Sequence, residues 1–134
     1  MTKHTDFPIV NIIATLLAAA LIAFLFTVPR HYLMGVTSQL RDKAREAEYA
    51  ALGDDLVTVD EKVNDMCMVF ERAEQPLKLF LNHEDIDELK ASLYAARNLA
   101  MIDERGNLLS ELQNIFRIVD HLDASETFNI YNLF

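Results

Sequence analysis

The sequence predicts an all-α protein: a single N-terminal transmembrane helix followed by a small antiparallel bundle of three to four helices. Three observations carry this. Residues 9–28 run for twenty positions without a charge. Beyond them, apolar residues recur every three or four positions and rarely alternate with polar ones, which is the period of a helix and not of a strand. The chain has only three glycines and three prolines in 134 residues, so few positions interrupt a helix. The expected layout is a tail and anchor over 1–29, a juxtamembrane helical stalk over 30–53, and a helical bundle with an aromatic tail over 54–134.

The anchor is the stretch from Ile9 to Val28, bounded by Pro8 and Pro29. Twelve of its twenty residues are Ile, Val, Leu or Phe, five are Ala, and only Asn11, Thr15 and Thr27 are polar. About twenty apolar helical residues span the ~30 Å hydrocarbon core of a bilayer. A secretory signal would need a short apolar region and a small-residue cleavage site. The run Thr27-Val28-Pro29-Arg30-His31 has no Ala-x-Ala pattern, so the expectation is a retained anchor in the cell membrane. Topology signals conflict. Lys3 stands against Arg30, Arg41, Lys43 and Arg45, a count that places the following domain in the cytoplasm. A short tail ahead of a single early anchor is the layout of an exported domain, and an external domain is the expectation adopted.

Asn11, Thr15, Ala19, Ala23 and Thr27 recur every four residues along the anchor. Small side chains at this spacing let two membrane helices approach closely, and Asn11 and Thr15 can hydrogen-bond across such a contact. Ala and Thr are also common in anchors for no such reason. The row is read as a candidate contact with another membrane helix.

The stalk has a thin stripe, Val36, Leu40, Ala44, Ala47 and Ala51, with charges between and Gly53 to close it. Its basic residues are expected to meet lipid phosphates or solvent. The second helix opens on Thr58-x-x-Glu61, the form of a capping box, and repeats Val59, Val63, Met66, Phe70 and Ala73. Pro76 should end or kink it. The third begins near Asn82 and carries Ile86, Leu89, Leu93, Ala96 and Ala100. Its early acids, Glu84 and Asp85, suit a helix N-terminus. The fourth carries Leu108, Leu112, Ile115, Val119 and Leu122, after a turn around Asp103 to Gly106. Short turns predict antiparallel packing. Phe128, Ile130, Leu133 and Phe134 are expected to dock on the bundle, because an exposed patch of this kind is rarely tolerated.

The net charge of −9 lies beyond the anchor, which argues against nucleic acid as a partner. One cysteine, Cys67, forbids an internal disulfide. It is expected to be a buried thiol, with no nearby cation in sequence to activate it.

The run His83-Glu84-Asp85-Ile86-Asp87 opens the third helix. His121 ends the fourth, Glu126 follows, and the sequence finishes on Asn132-Leu133-Phe134. Over residues 55–134 this resembles the bacterial family called domain of unknown function 4363. The likeness lies in length, N-terminal anchor, a His-Glu-x-Ile-Asp motif and a C-terminal Asn-Ile-Phe. The chain departs from that pattern by lacking tryptophan in the second helix and by having Leu133 for isoleucine. The resemblance implies no known activity. It places the family's genes near those of small multi-pass membrane proteins, a hint of a membrane partner.

His83, Asp87 and His121 form the best chemical constellation. His83 and Asp87 share a helix face, and antiparallel packing brings the end of the fourth helix toward them. Two imidazoles and a carboxylate could bind zinc or iron. Helix capping and dipole complementation explain the same residues without a ligand. No phosphate loop, nucleophile elbow or zinc-binding Cys pair is present. The reading is of a non-enzymatic accessory protein without a cofactor, binding the membrane through residues 9–28 and a protein partner at its surface. The alternative is a metal- or ligand-binding bundle.

Overall fold

The computed structural model describes the backbone of residues 6–131 and the side chains of residues 9–125. Four helices are described: α1 (Asp6–Leu52), α2 (Leu56–Leu77), α3 (His83–Met101) and α4 (Arg105–Tyr131), with no strand among the described residues. The chain divides into two units, Met1–Tyr32 and Leu33–Phe134.

In the first unit, the described large apolar side chains of 9–28 are all exposed, for example Leu17 at 66% and Phe24 at 60%. Pro29 lies inside α1. The proline removes one amide donor from the helix, yet helical backbone continues on both sides of it.

The second unit is an up-and-down bundle of four helices, and its ion pairs trace the order. Lys43 and Lys62 of α1 and α2 pair with Asp65 and Glu46 across the first seam, at 2.9 and 3.0 Å. Glu74 of α2 meets Lys90 of α3 at 3.0 Å. Glu88 of α3 meets Arg117 of α4 at 2.6 Å. Arg41 of α1 closes the ring on Asp120 and Asp123 of α4, at 2.9 and 2.7 Å. At each seam the number on one helix rises as its partner's falls, so neighbours are antiparallel.

One buried cluster fills the ring. Phe70, Met66, Ile86, Leu89, Leu93, Leu112 and Ile115 are fully enclosed. Leu33, Val36, Leu40, Ala44, Ala47 and Ala51 of α1 belong to the same cluster. The segment expected as a stalk is therefore one wall of the bundle from Leu33 onward. Its stripe looked thin because three of its six core positions are alanine. Small side chains let α1 lie close to its neighbours, so a narrow apolar face still closes the core.

The ends of the helices differ from expectation in two respects. Asp55, not Thr58, caps α2: its side chain accepts from the Thr58 amide at 3.1 Å and from the Thr58 hydroxyl at 2.6 Å. An aspartate three residues earlier wins because it can take both donors at once. Those bonds hold the Asp55 carboxyl below its ordinary range. Asn82 caps α3 through the Glu84 amide at 3.2 Å. Gly53 has no positive φ; the left-handed residue closing α1 is Asp54, with φ 64°, and Asp103 repeats this after α3 with φ 56°. The amides of Asp55 and Glu104 reach back to the carbonyls of Ala50 and Leu99, both at 3.0 Å. This is the Schellman closure, with aspartate where glycine is usual. Pro76 stands next to the last residue of α2, where the helix was expected to end.

The expected docking of Phe128, Ile130, Leu133 and Phe134 concerns side chains outside the described residues.

The position of Leu40 yields a test of the shared core. Leu40→Ala should destabilise the bundle by about 2–5 kcal/mol, the cost of a large-to-small change at an enclosed site. Thermal unfolding of the full chain followed by circular dichroism measures it. A stalk outside the core would leave the melting temperature unchanged.

Candidate functional site

Antiparallel packing brings the start of α3 beside the end of α4, as the sequence leads one to expect. The pair that meets there is His121 and Asp85, with Nε2 and Oδ1 4.0 Å apart. His83 and Asp87 are both exposed and stand outside this pair. The reason is helical phase: Ile86 and Leu89 turn into the core, which leaves Asp85 on the α4 side, half-buried, and points His83 and Asp87 to solvent. Among the described residues no three His, Cys, Asp or Glu side chains are grouped to hold a metal. A structural zinc site needs about four ligands, and this end of the bundle brings one imidazole to one carboxylate at salt-bridge distance.

A second polar cluster joins α1 to α4, and sequence reading missed it. Thr37 is 1% exposed, and its hydroxyl lies 2.7 Å from Asp123 Oδ1. The Thr37 hydroxyl also lies 3.0 Å from the carbonyl of Leu33 in its own helix. Arg41, one turn on, binds Asp123 Oδ2 and Asp120. Hydrogen bonds to Asp123 and then Asp120 raise the affinity of the guanidinium for its proton. The basic residues thus do not point uniformly at lipid or solvent: Arg41 and Lys43 are engaged by carboxylates of the bundle, and Arg45 is exposed. The available signal was spacing, since Thr37 and Arg41 sit one turn apart beside the apolar stripe.

The α2–α3 seam holds a third cluster. Glu74, whose side chain is 13% exposed, receives Lys78 at 2.7 Å and Lys90 at 3.0 Å. The hydrogen bonds from Lys78, then Lys90, hold its carboxyl below the ordinary range. Glu71 accepts from the Tyr94 hydroxyl at 3.2 Å, and Arg97 stacks 4.7 Å from the Tyr94 ring centre. Cys67 is buried and its thiol lies 3.6 Å from the carbonyl of Leu93. Burial pushes its proton affinity up, so it is a poor nucleophile.

In the first unit, the hydroxyl of Thr15 donates to the carbonyl of Asn11 at 2.8 Å, within its own helix. Ala19, Ala23 and Thr27 are exposed along with Asn11 and Thr15. No described residue of the unit covers the row. The helix containing Ile9–Leu52 is the one described element long and apolar enough to cross a membrane, by length and composition, a character shared by signal sequences near an N-terminus.

These features define a class: an all-α protein with an apolar helical segment and a four-helix bundle knit by seam-crossing ion pairs. The chain belongs to the family described as Domain of unknown function (DUF4363), whose pattern it matches over residues 27–133. That match begins at the last residues of the apolar stretch and takes in the bundle unit up to residue 133. Comparison with curated proteins and with solved structures finds no match.

The Glu74 cluster sets a pH dependence with a definite sign. A carboxylate whose folded affinity for protons is depressed adds stability that is complete above its unfolded pKa and lost as pH falls through the folded one. Stability should therefore hold through neutrality and decline on acidification through and below the ordinary glutamate range. Glu74→Gln should lower the melting temperature near neutral pH and flatten that acid decline. Melting curves across acidic pH check it; an unchanged slope would assign the acid decline to other carboxylates.

Proposed function

We propose that the chain is a single-pass membrane protein, its bundle outside the cytoplasm, serving as an accessory subunit that binds another membrane or surface protein. The observation that carries the membrane part is the exposure of the apolar helix. An 18-residue window of mean hydropathy 2.7 contains no buried residue. Uncovered apolar surface of that extent is stable only against lipid or against another apolar helix. The Asn11, Thr15, Ala19, Ala23 and Thr27 row supplies a face narrow enough for the second kind of contact.

The binding part is supported by the bundle's own surface. Its seams are closed by ion pairs and its core is filled, yet Tyr49, Leu52, Val57, Met101 and Ile102 remain largely exposed. Groups of exposed large apolar residues mark interaction sites on otherwise polar proteins. The acidic bundle disfavours nucleic acid and anionic lipid as its target.

Two measurements on native membranes test this reading. Alkaline extraction should leave the chain in the pellet with its N-terminus near Met1. Chemical cross-linking should join it to a discrete membrane neighbour, and Ala19→Leu with Ala23→Leu should weaken that product without releasing the chain. A soluble product starting after residue 29 would overturn the anchor. Cross-linking that yields the monomer alone would overturn the accessory role.

A further inference from the structure

At one end of the bundle, opposite Leu33, three helix ends leave large apolar side chains in solvent. Tyr49 and Leu52 stand there on α1, Leu56 and Val57 on α2, Met101 and Ile102 at the end and C-cap of α3, with exposures from 41% at Leu56 to 80% at Val57. Local capping does not call for them. The Schellman closures place acidic residues, Asp55 and Glu104, where an apolar contact is customary. The position before the Asp55 cap is Asp54, so α2 has no hydrophobic staple either.

The same end is acidic. Asp54, Asp55, Asp103 and Glu104 are exposed in the two turns, and Asp60 lies one helical turn beyond Leu56. Its one basic residue in the turns, Arg105, is already engaged: it pairs with Asp54 and with Asp103. Lys62, a turn inward, is held by Glu46 and Glu61. Two further cations stand one turn inward, Arg45 before Tyr49 on α1 and Arg97 before Met101 on α3, the latter stacked on the Tyr94 ring. The Arg105 bridge ties the α1–α2 turn to the α3–α4 turn, so the apolar residues on either side form one surface.

We infer that this acidic-rimmed apolar end is a docking surface for a basic amphipathic helix of a partner protein. Charge selects the occupant. A second copy would bring one acidic rim against another, and an anionic lipid surface would meet the same repulsion. A basic partner supplies counter-charges to Asp55, Asp60 and Glu104, which stand outside the Arg105 bridge. Scale fits a helix: the apolar set spans the diagonal of the ring, about 11–14 Å for inter-helix spacings of 8–10 Å, the reach of an apolar stripe on about two to three helical turns of 5.4 Å. Recognition by an apolar face flanked with complementary charge is an established mode of helix binding.

This inference rests on the protein-binding reading above and narrows it to one surface. Its test uses the full chain in phosphatidylcholine nanodiscs, with empty discs as the reference. The probes are two fluorescent amphipathic peptides of about 18 residues, five turns, one patterned with Leu and Lys, the other with Leu and Glu. The Lys peptide should bind about tenfold tighter than the Glu peptide at low salt, with the preference shrinking at high salt. Val57→Ser with Ile102→Ser should weaken the Lys peptide about tenfold, while Leu79→Ser, at the other end of the bundle, should leave it unchanged. Asp60→Asn with Glu104→Gln should remove most of the salt dependence. Each variant's melting curve shows that the bundle is intact. Equal binding of both peptides, or equal binding by the Val57 and Ile102 variant, overturns the proposal. So does self-association, or binding to phosphatidylglycerol vesicles, that depends on Val57 and Ile102. If the peptide preference fails while membrane cross-linking still captures a neighbour, this surface is wrongly assigned and the accessory role stands.

Discussion

The bundle depends on the part of α1 beyond Leu33. Without it, α2, α3 and α4 would expose the inner faces of Val63, Met66 and Leu112, which are fully buried. Each large side chain of that kind gains about 1.5–3 kcal/mol on leaving water. Three alanines at Ala44, Ala47 and Ala51 allow the fourth wall to come close enough to seal them. Close approach of backbones has a second effect: it brings Thr37 and Arg41 within reach of Asp123 and Asp120, and Lys43 within reach of Asp65. Apolar closure and polar stitching at these seams are carried by the same wall, α1 from Leu33 onward.

Much of this was legible in sequence because three of the four helices keep a clean stripe. Val59 through Ala73, Ile86 through Ala96, and Leu108 through Leu122 each announce a face, and the phase breaks at 81–83 and 103–106 announce the turns. What was not legible is informative. Alanine carries too little hydrophobic signal to distinguish a core position from a solvated one, so the α1 wall read as a stalk. The cap of α2 was misplaced because Asp55 and Thr58 are both good caps, and only the geometry shows one bonding the other. Candidate metal ligands were grouped by helix face, but His83 and Asp87 turn outward once Ile86 and Leu89 fix the phase of α3.

The charges are arranged with a similar economy. Along the seams, cations outnumbered by acids are each placed against one or two carboxylates: Arg41 with Asp120 and Asp123, Lys62 with Glu46 and Glu61, Arg117 with Glu88. With 12 basic and 21 acidic residues, matching cations to seams leaves acids in surplus, and part of that surplus stands at the turns. Exposed ion pairs contribute little stability singly. Their effect here is on register, since each pair is satisfied only when antiparallel neighbours are aligned. The leftover acids set the sign of the field at the apolar end.

That end is also where the backbone bears strain. Asp54 and Asp103 both adopt left-handed conformations, which cost a non-glycine residue on the order of 1–2 kcal/mol each. Glycine would relieve the strain at either place, and Gly53 sits one residue away from the first. Aspartate does something glycine cannot: both carboxylates engage Arg105, one from each turn. The strained conformations and the bridge therefore belong together, as the turns must close in this way for the two carboxylates to converge on one guanidinium. A bridge between turns limits how far Leu52 and Leu56 can move relative to Met101 and Ile102. Turns already held in place lose less freedom on docking, which raises affinity without adding a contact. On the docking proposal above, the device that shapes the turns also prepares the apolar surface beside them.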